Sequence, residues 1–513
     1  MKALIFAVLA CACGKAPGTS TTSLALTITD GGKPIAARVL LFSADGKPLH
    51  IGQIDLYNQR QGAAACEFAP GVIGTWDGII VAKGTAEVPV GGDRCAPTPA
   101  IPYGRYKVWA WHGFDHERWE GEVDLSPGRG KVELAIALKA AWTAPANVLA
   151  ADLHVHAHGS NDSNMPDPQR VAAQVAAGIQ VIALSNHNQN GDASSAIHAL
   201  GLDAVVAAIP SNEITSEMMH AGIYPAIGTA PPESQIVKAD PKALLALLHS
   251  LPGDPVIQIN HPRFRYQSLF DTTHWDGVTW PPPFPTDFDA MEVVAGYSAA
   301  NAPGDRRLDE VLRDFYTFYK HGHPLAATGG SDTHDFNWVL DGSARTFVIL
   351  DAPPQAGTFD RDRLVAAIRA RRTIASSGPW LDVEAWPTAD HTGLPFGPGQ
   401  IVTAHDRKVH LVITTAQPAW MHAKRIRIQV GDETIEKPFG NTDLQLDLDV
   451  GNDDTFIGVA VDGDEPLPLE LTGTYQRDKW NKPGVTPFAV ISPILVDADG
   501  DHHWKRGDTD LRF

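Results

Sequence analysis

The pattern of apolar residues changes twice along this 513-residue chain, and these changes constrain the fold more than any other feature of the sequence. Short runs with period-two alternation, separated by Gly, Pro and Asp turns, fill residues 24–140 and 385–513. Between them, residues 150–380 alternate apolar runs with helix-like segments. The first pattern is typical of β-sandwiches and the second of a parallel α/β barrel or sheet. We therefore predict an α/β domain at 150–380 flanked by two β-sandwiches.

The middle segment contains four clear helix patterns between its strand-like runs. Apolar runs at 181–184, 205–208, 256–259, 291–294 and 325–328 predict strands. The predicted helices are 168–177, 241–250, 306–321 and 361–371. Two of them begin with a proline, which the first turn of a helix tolerates because its N–H would have no helical partner.

Composition and charge exclude several classes of protein. Hydrophobic residues make up 43% of the chain and charged residues 20%, close to the globular average of about 45–50% and 25%, which excludes a disordered or fibrous protein. Lys and Arg number 41 against 60 Asp and Glu, a formal charge of −19. The chain therefore lacks the basic surface of a general nucleic-acid-binding protein, and an anionic substrate would need local cations such as metal ions.

Residues 1–23 predict an export signal followed by a short tether. The apolar run at 3–10 follows a positive start and is shorter than the roughly 20 residues that span a membrane. The sequence VLAC ending at Cys11 resembles a bacterial lipobox; Cys13 is the second choice, and a secreted protein cut near Gly14 is the alternative. We expect a periplasmic or outer-membrane lipoprotein that contacts the membrane only through its lipid anchor and has no obligate protein partner.

The first predicted sandwich, at 24–140, contains two further cysteines. Cys66 and Cys95 predict one disulfide, because exported domains commonly form them, with two buried thiols as the alternative. The stretch at 101–108 resembles the late strand of carboxypeptidase-regulatory-like sandwiches. We expect this domain to support its neighbour.

Metal-ligand side chains follow successive strands of the middle segment. His154 and His156 lie two apart, so a strand end places both imidazoles on one face, where they can bind one ion. Further candidate ligands follow in loops and at later strand ends: Asp162, His187, Glu213, His220, His261, Asp332 and His334. Imidazole and carboxylate together suit zinc, manganese or iron, and this set exceeds the needs of one tetrahedral ion. We predict two or three divalent ions that activate water for hydrolysis.

Five motifs carry a family resemblance: DLHVHAHGSND, SNHN, NEITS, NHPR and GGSDTH. Together they resemble the successive motifs of the PHP (polymerase and histidinol phosphatase) superfamily. The phrasing VIQINHPRF and the segment leading to LAATGGSDTH are similar to its CehA/McbA-type metallohydrolase branch. The resemblance covers residues 150–380 and implies a distorted (β/α)7 barrel with three clustered metal ions.

The resemblance also implies a role for each ligand. The first ion would be held by His154, His156 and Asp332, the second by His220 and His261, and the third by Asp162, His187 and His334, with Glu213 bridging the first two. Glu213 and Asp332 would take part in catalysis through the ions they hold. Arg263 is a further catalytic candidate, as a bidentate donor to a phosphate or carboxylate, with an ordinary ion pair as the alternative.

These features predict an exported metal-dependent hydrolase that acts on small-molecule esters, first of all phosphoesters. A carboxylic ester or carbamate hydrolase of the CehA/McbA type is one alternative. A non-catalytic lipoprotein that binds a surface glycan or protein is another. An amidohydrolase barrel is disfavoured because Asp332 is paired with His334 and no suitable bridging lysine follows a strand. The acidic run at 497–501 predicts a turn, since the other ligands of a calcium-binding loop are absent.

Overall fold

The computed structural model describes residues 22–51, 66–75, 78–92, 100–264, 267–296, 307–335, 340–354, 358–440, 443–468 and 485–512. Cys11, Cys13 and Cys95 lie outside the described residues, as does the predicted export signal. No helix in the described part of the chain is long and apolar enough to cross a membrane.

Strands predominate over helices in the described residues. The strands are β1 (Thr22–Asp30), β2 (Lys33–Pro34), β3 (Ala37–Phe42), β4 (Cys66–Ala69), β5 (Val72–Thr75), β6 (Gly78–Val81), β7 (Thr85–Val90), β8 (Arg105–Trp111), β9 (Trp119–Asp124), β10 (Lys131–Leu138), β11 (Val148–Val155), β12 (Val181–Leu184), β13 (Ala207–Pro210), β14 (Asn212–Thr215), β15 (His220–Tyr224), β16 (Val256–Ile259), β17 (Ala290–Ala295), β18 (Ala326–Gly330), β19 (Arg345–Ile349), β20 (Thr373–Ser376), β21 (Trp380–Trp386), β22 (Ile401–Thr403), β23 (Lys408–Ala416), β24 (Arg425–Val430), β25 (Glu433–Pro438), β26 (Leu444–Asp449), β27 (Thr455–Asp462), β28 (Phe488–Ile491), β29 (Ile494–Asp497), β30 (His503–Arg506) and β31 (Thr509–Arg512). The helices are α1 (Asp167–Ala176), α2 (Ser194–Leu200), α3 (Glu233–Ile236), α4 (Pro241–His249), α5 (Leu269–Thr272), α6 (Arg307–Lys320) and α7 (Arg361–Arg369).

The N-terminal strands form two sheets that share one hydrophobic core. In the first sheet β1 pairs in parallel with β10 and antiparallel with β2 and β7, and the second has the order β4-β5-β6-β3-β8-β9. Leu24, Leu26 and Ile28 alternate along β1 and are buried with Val39 and Leu41 of β3. Alternate residues of a strand face the same side, so the period-two pattern of the sequence becomes one apolar face.

The (β/α)7 barrel predicted for residues 150–380 is wrong. Its strands lie in two separate sheets, and no closed barrel is present among the described residues. β11, β12 and β13 are parallel, but β11 pairs antiparallel with β19, and that sheet continues through β20 into the C-terminal strands β28, β27, β24 and β25. The second sheet, β14 to β18, contains antiparallel pairs at β14–β15 and β15–β16. A ring of parallel strands does not form because β11 pairs on one edge with the parallel strand β12 and on the other with the antiparallel strand β19.

One large sheet therefore connects the middle segment with the C-terminal region. Phe347 of β19 and Ile374 of β20 share a core with Ile426, Ile457 and Ile491 of the C-terminal strands. The three-stranded sheet β21-β23-β26 contributes alternating apolar residues to the same core. The C-terminal strands consequently extend the core of the middle segment.

The two sheets of the middle segment approach each other at the ends of β11, β12, β14 and β18. Single parallel bridges join Val155 to Thr333 and His187 to Glu213 across this junction. Because the predicted motifs lie at these strand ends, the junction gathers them in one place.

The disulfide prediction is tested by thiol labelling. Cys66 is buried and disulfide-bonded, and its pairing with Cys95 stays a prediction. We expect alkylation of the unreduced, denatured protein to label neither Cys66 nor Cys95, and peptide mapping to recover one linked pair. A closed loop of this size stabilises a fold by roughly 3–4 kcal/mol in the chain-entropy account. Full labelling of both before reduction would contradict the pairing.

Candidate metal centre

All nine predicted metal ligands lie together at the junction of the two sheets. They come from the ends of β11, β12, β16 and β18, from β14 and β15, and from the loop after β11: His154, His156, Asp162, His187, Glu213, His220, His261, Asp332 and His334. His154 and His156 are fully buried, and the side chains of Glu213 and Asp332 are at most 2% exposed. The structure thus contains buried groups of His, Asp and Glu that can hold metal ions.

Two of these residues have unusual backbone conformations. The φ angle is 25° at His261 and 52° at Asp332. Positive φ is uncommon for residues other than glycine, and such strain concentrates at functional sites. Hydrogen bonds hold both conformations: the Asp332 N–H donates to the His154 carbonyl at 2.7 Å, and the His261 N–H to Glu292 Oε2 at 2.7 Å.

The first group of ligands surrounds His154 Nε2. This atom lies 3.1 Å from His156 Nε2, 3.0 Å from Glu213 Oε1 and 3.2 Å from Asp332 Oδ1. Asp332 Oδ1 is also 3.1 Å from His156 Nε2. Ligands that share one ion at about 2.0–2.2 Å lie roughly 3–3.6 Å from one another. The spacing of His154 Nε2, His156 Nε2 and Asp332 Oδ1 therefore fits a shared cation.

The hydrogen bonds on the far side of each ring show which ring nitrogens face the other candidate ligands. His154 Nδ1 donates to Glu292 Oε1 at 3.0 Å, because a carboxylate only accepts. His156 Nδ1 donates to Ser160 Oγ at 3.1 Å, since that hydroxyl gives its own hydrogen to Asp162. With both Nδ1 atoms donating outwards, the two Nε2 atoms face each other across 3.1 Å. A positive charge between them removes the repulsion of their lone pairs, and it is either a proton on His154 or a metal ion, so the donor set fits a metal ion.

The electrostatics of the first group also favour a positive charge. Burial opposes a charge on His154, but Asp332, Glu213 and Glu292 raise the pKa of its imidazole well above the usual value. Burial, with His334 and His187 nearby, lowers the pKa of His156 to about 3, so this ring is neutral and available as a ligand. The same carboxylates that would attract a proton to His154 would attract a metal ion.

The carboxylate of Glu213 lies at the centre of the second group. Its Oε1 is 3.1 Å from His220 Nδ1 and 3.3 Å from His261 Nε2, and its Oε2 is 2.8 Å from His187 Nδ1. Burial would raise the pKa of this carboxyl, but His154, His220 and His187 hold it well below its usual range. Glu213 is therefore charged and contacts both the first and the second group, as a bridging ligand must.

The third group lies on the more exposed side of the site. Asp162 Oδ2 is 3.1 Å from His187 Nε2 and 3.2 Å from His334 Nε2, and the ring of His156 stacks on His334 with centroids 4.0 Å apart. The side chain of Asp162 is 31% exposed and that of His334 is 23% exposed. Solvent consequently reaches the cluster from the side of the third group.

Sequence reasoning missed two residues that support the ligands. Glu292, buried in β17, orients His154 through Nδ1 and holds the backbone of His261. Asn260 donates to Glu213 Oε1 at 2.9 Å. An acidic residue inside the otherwise apolar run of β17 was the available signal, because a buried carboxylate needs partners.

The guanidinium of Arg263, the other catalytic candidate, binds residues that are not predicted metal ligands. Its guanidinium donates to Asp314 at 2.6 Å, to Asp271 at 3.2 Å and to the Trp275 carbonyl at 2.9 Å. This arrangement matches the ion-pair alternative rather than a donor directed at a substrate.

The acidic run near the C-terminus forms a turn. Asp497 accepts backbone N–H groups from Gly500 and His502, and Asp454 accepts them from Ala498 and Lys505. These contacts account for the clustering of the acidic side chains.

Comparison with known proteins adds no family assignment: no protein-family model matches the chain, and a search of curated proteins finds no match. Membership of the PHP superfamily therefore rests on the motifs and stays a prediction.

The bridging role of Glu213 is tested by Glu213→Gln. The amide keeps the shape of the side chain but removes the charge that balances the surrounding cations. We expect the loss of at least one metal ion per chain, measured by elemental analysis, with an unchanged circular dichroism spectrum. Glu217→Gln, at an exposed carboxylate four residues later, is the matched control and should retain the full metal content. Full metal content in Glu213→Gln would show that Glu213 is not the bridge.

The assignment of ligands to separate ions is tested at Asp332, His334 and Asp162. Asp332→Asn should empty the first site, whereas His334→Ala and Asp162→Ala should each weaken only the third. Excess metal should restore the third-site variants better than Asp332→Asn, because mass action offsets weakened binding. Metal titration of the three variants checks this. If all three lose one and the same ion, the site is mononuclear.

Proposed function

We propose that this protein is an exported, metal-dependent hydrolase of the PHP type that cleaves phosphoesters. The observation that supports it most is the pair of Nε2 atoms of His154 and His156, directed at each other beside the carboxylates of Glu213 and Asp332. With the two further groups around Glu213 and Asp162, the donor set suits up to three divalent ions. Mixed imidazole and carboxylate donors favour zinc, manganese or iron.

Each residue of the site would have a separate role in hydrolysis. Divalent ions bound here would lower the pKa of a coordinated water and stabilise negative charge that develops on the attacked centre. Glu213 would hold two cations near each other with its two oxygens. Glu292 and Ser160 would keep the rings of His154 and His156 in the tautomer that leaves Nε2 free. The exposed side of Asp162 and His334 would receive the substrate.

A carboxylic ester or carbamate hydrolase is the second candidate. The engagement of Arg263 with Asp314 and Asp271 favours it, because this guanidinium is not directed at the site to recognise a phosphate. A neutral acyl substrate needs no such cation. In both cases the predicted lipid anchor would place the enzyme outside the inner membrane.

The proposal is tested by measuring metal content and hydrolysis on the same purified protein. The substrates are phosphomonoesters, phosphodiesters, carboxylic esters and carbamates, with Glu213→Gln as the inactive control. We expect turnover of one phosphoester class that falls by several orders of magnitude in the variant. Turnover of acyl substrates only would favour the second candidate. Metal-loaded protein that hydrolyses none of the four classes would support the non-catalytic binding alternative.

A further inference from the structure

Helix α1 lies between the metal centre and the N-terminal sheets. Its residues Ala172, Ala173 and Ala176 share a buried core with Ile73 and Ile80 of β5 and β6. Small alanine side chains allow the helix backbone to approach the sheet closely. The sheet that contains β5 and β6 therefore supports this helix, together with β11, β12 and α2 in the same core.

Another residue of α1, Arg170, contacts the backbone that carries the ligands. Arg170 is fully buried, and its Nε donates to the carbonyl of His156 at 2.8 Å. Its Nη2 donates to the carbonyl of Thr333 at 3.2 Å. Thr333 lies between the ligands Asp332 and His334, so one guanidinium connects the chain after β11 with the chain after β18.

Arg170 is held in place by a buried network. Its Nη1 donates to Asp341 Oδ1 at 2.7 Å, and Gln174, one turn further along α1, donates to the same oxygen at 3.1 Å. Gln174 also donates to Asp152 Oδ2 at 2.8 Å. A small cavity lies beside this network, lined by Asp341, by Ala173 and Ala176 of α1, and by Arg38 and Ile80 of the N-terminal sheet that packs against α1.

Asp152 makes a second connection between the same two strands. Its Oδ1 accepts the backbone N–H of His154 at 3.3 Å and that of Ser331 at 2.9 Å. Its Oδ2 accepts the Ser331 hydroxyl at 2.5 Å. Arg170 and Asp152, at the two ends of this network, therefore both bind the backbone of segments that carry predicted metal ligands.

A buried arginine contributes little net stability to a fold. Removing its charge from water has a large desolvation penalty, and well-packed apolar residues often stabilise a core equally well. Arg170 contacts one carboxylate directly, and its remaining donors reach carbonyls and a hydroxyl in the two ligand-bearing segments. The guanidinium is planar and its N–H donors have a fixed geometry, so it can hold two backbone segments at a defined distance.

We propose that Arg170 is a positioning residue that holds the ligands after β11 and β18 at the spacing the metal ions require, and that the N-terminal sheet that contains β5 and β6 supports Arg170 by packing against α1. The inference rests on the proposed metal centre. The N-terminal sheets would then affect the affinity of the site for metal ions, although none of the nine predicted ligands comes from them.

The test compares two arginines that form ion pairs. Arg427 of β24 is 20% exposed and pairs with Asp309 at 3.0 Å and with Asp462 at 2.6 Å, neither of which belongs to α1 or adjoins a predicted ligand. Metal-free Arg170→Met, Arg427→Met and wild-type protein are titrated with Zn2+ against a competing chelator, and their thermal unfolding is measured without metal. We expect Arg170→Met to bind Zn2+ about 10–100-fold more weakly, the usual effect of losing support behind a ligand. Arg427→Met should lose thermal stability but keep wild-type affinity.

Arg170→Lys keeps the charge beside Asp341 but cannot reach both carbonyls at once, so its affinity should also fall. This variant decides the question if Arg170→Met does not fold. Wild-type affinity in the Arg170 variants, or an equal loss in Arg427→Met, would overturn the positioning role. Absence of Zn2+ binding by the wild-type protein would instead overturn the metal centre itself.

Discussion

The buried carboxylate of Glu213, surrounded by imidazoles, is the interaction on which the rest of the site depends. An ionised carboxylate removed from water carries a large free-energy penalty unless charged or hydrogen-bonding partners surround it. Here the partners include His154, His187, His220 and His261, all within 3.3 Å of its oxygens. These histidines come from different strand ends, so the charge can be accommodated only when the strands have assembled. The fold and the donor cluster therefore form together.

Assembly of the site requires two sheets to be held at a fixed separation. His154 lies in a strand of one sheet, and His187 follows another strand of that sheet. Glu213 lies in a strand of the other sheet, and His261 and Asp332 follow strands of it. Polar contacts beneath the ligands join the two sheets, and the N-terminal core supports the helix that provides some of them. Regions that contribute no predicted ligand thus become part of the architecture of the candidate metal centre.

Much of the local structure followed from the sequence, but the pairing of the strands did not. The four helices predicted for the middle segment coincide with α1, α4, α6 and α7 to within two residues at each end. Apolar periodicity and first-turn prolines are local signals, and local contacts determine helix formation. The barrel was wrong because β14, β15, β19 and β20 were not among the predicted strands, and these strands introduce the antiparallel pairs. Pairing direction depends on contacts between residues far apart in the chain, which periodicity does not encode.

The sequence by itself determined the chemistry of the donors, because the residue types and the spacing of the histidines and carboxylates can be read directly from it. It also indicated Glu213 as a bridge, through the resemblance of its motif. Only the tertiary structure decided which atoms face each other, that Glu292 orients His154, and that Arg263 is occupied by Asp314. These outcomes depend on side chains that meet across separate strands and helices. Such contacts arise from three-dimensional packing, and a linear motif records only one partner of each pair.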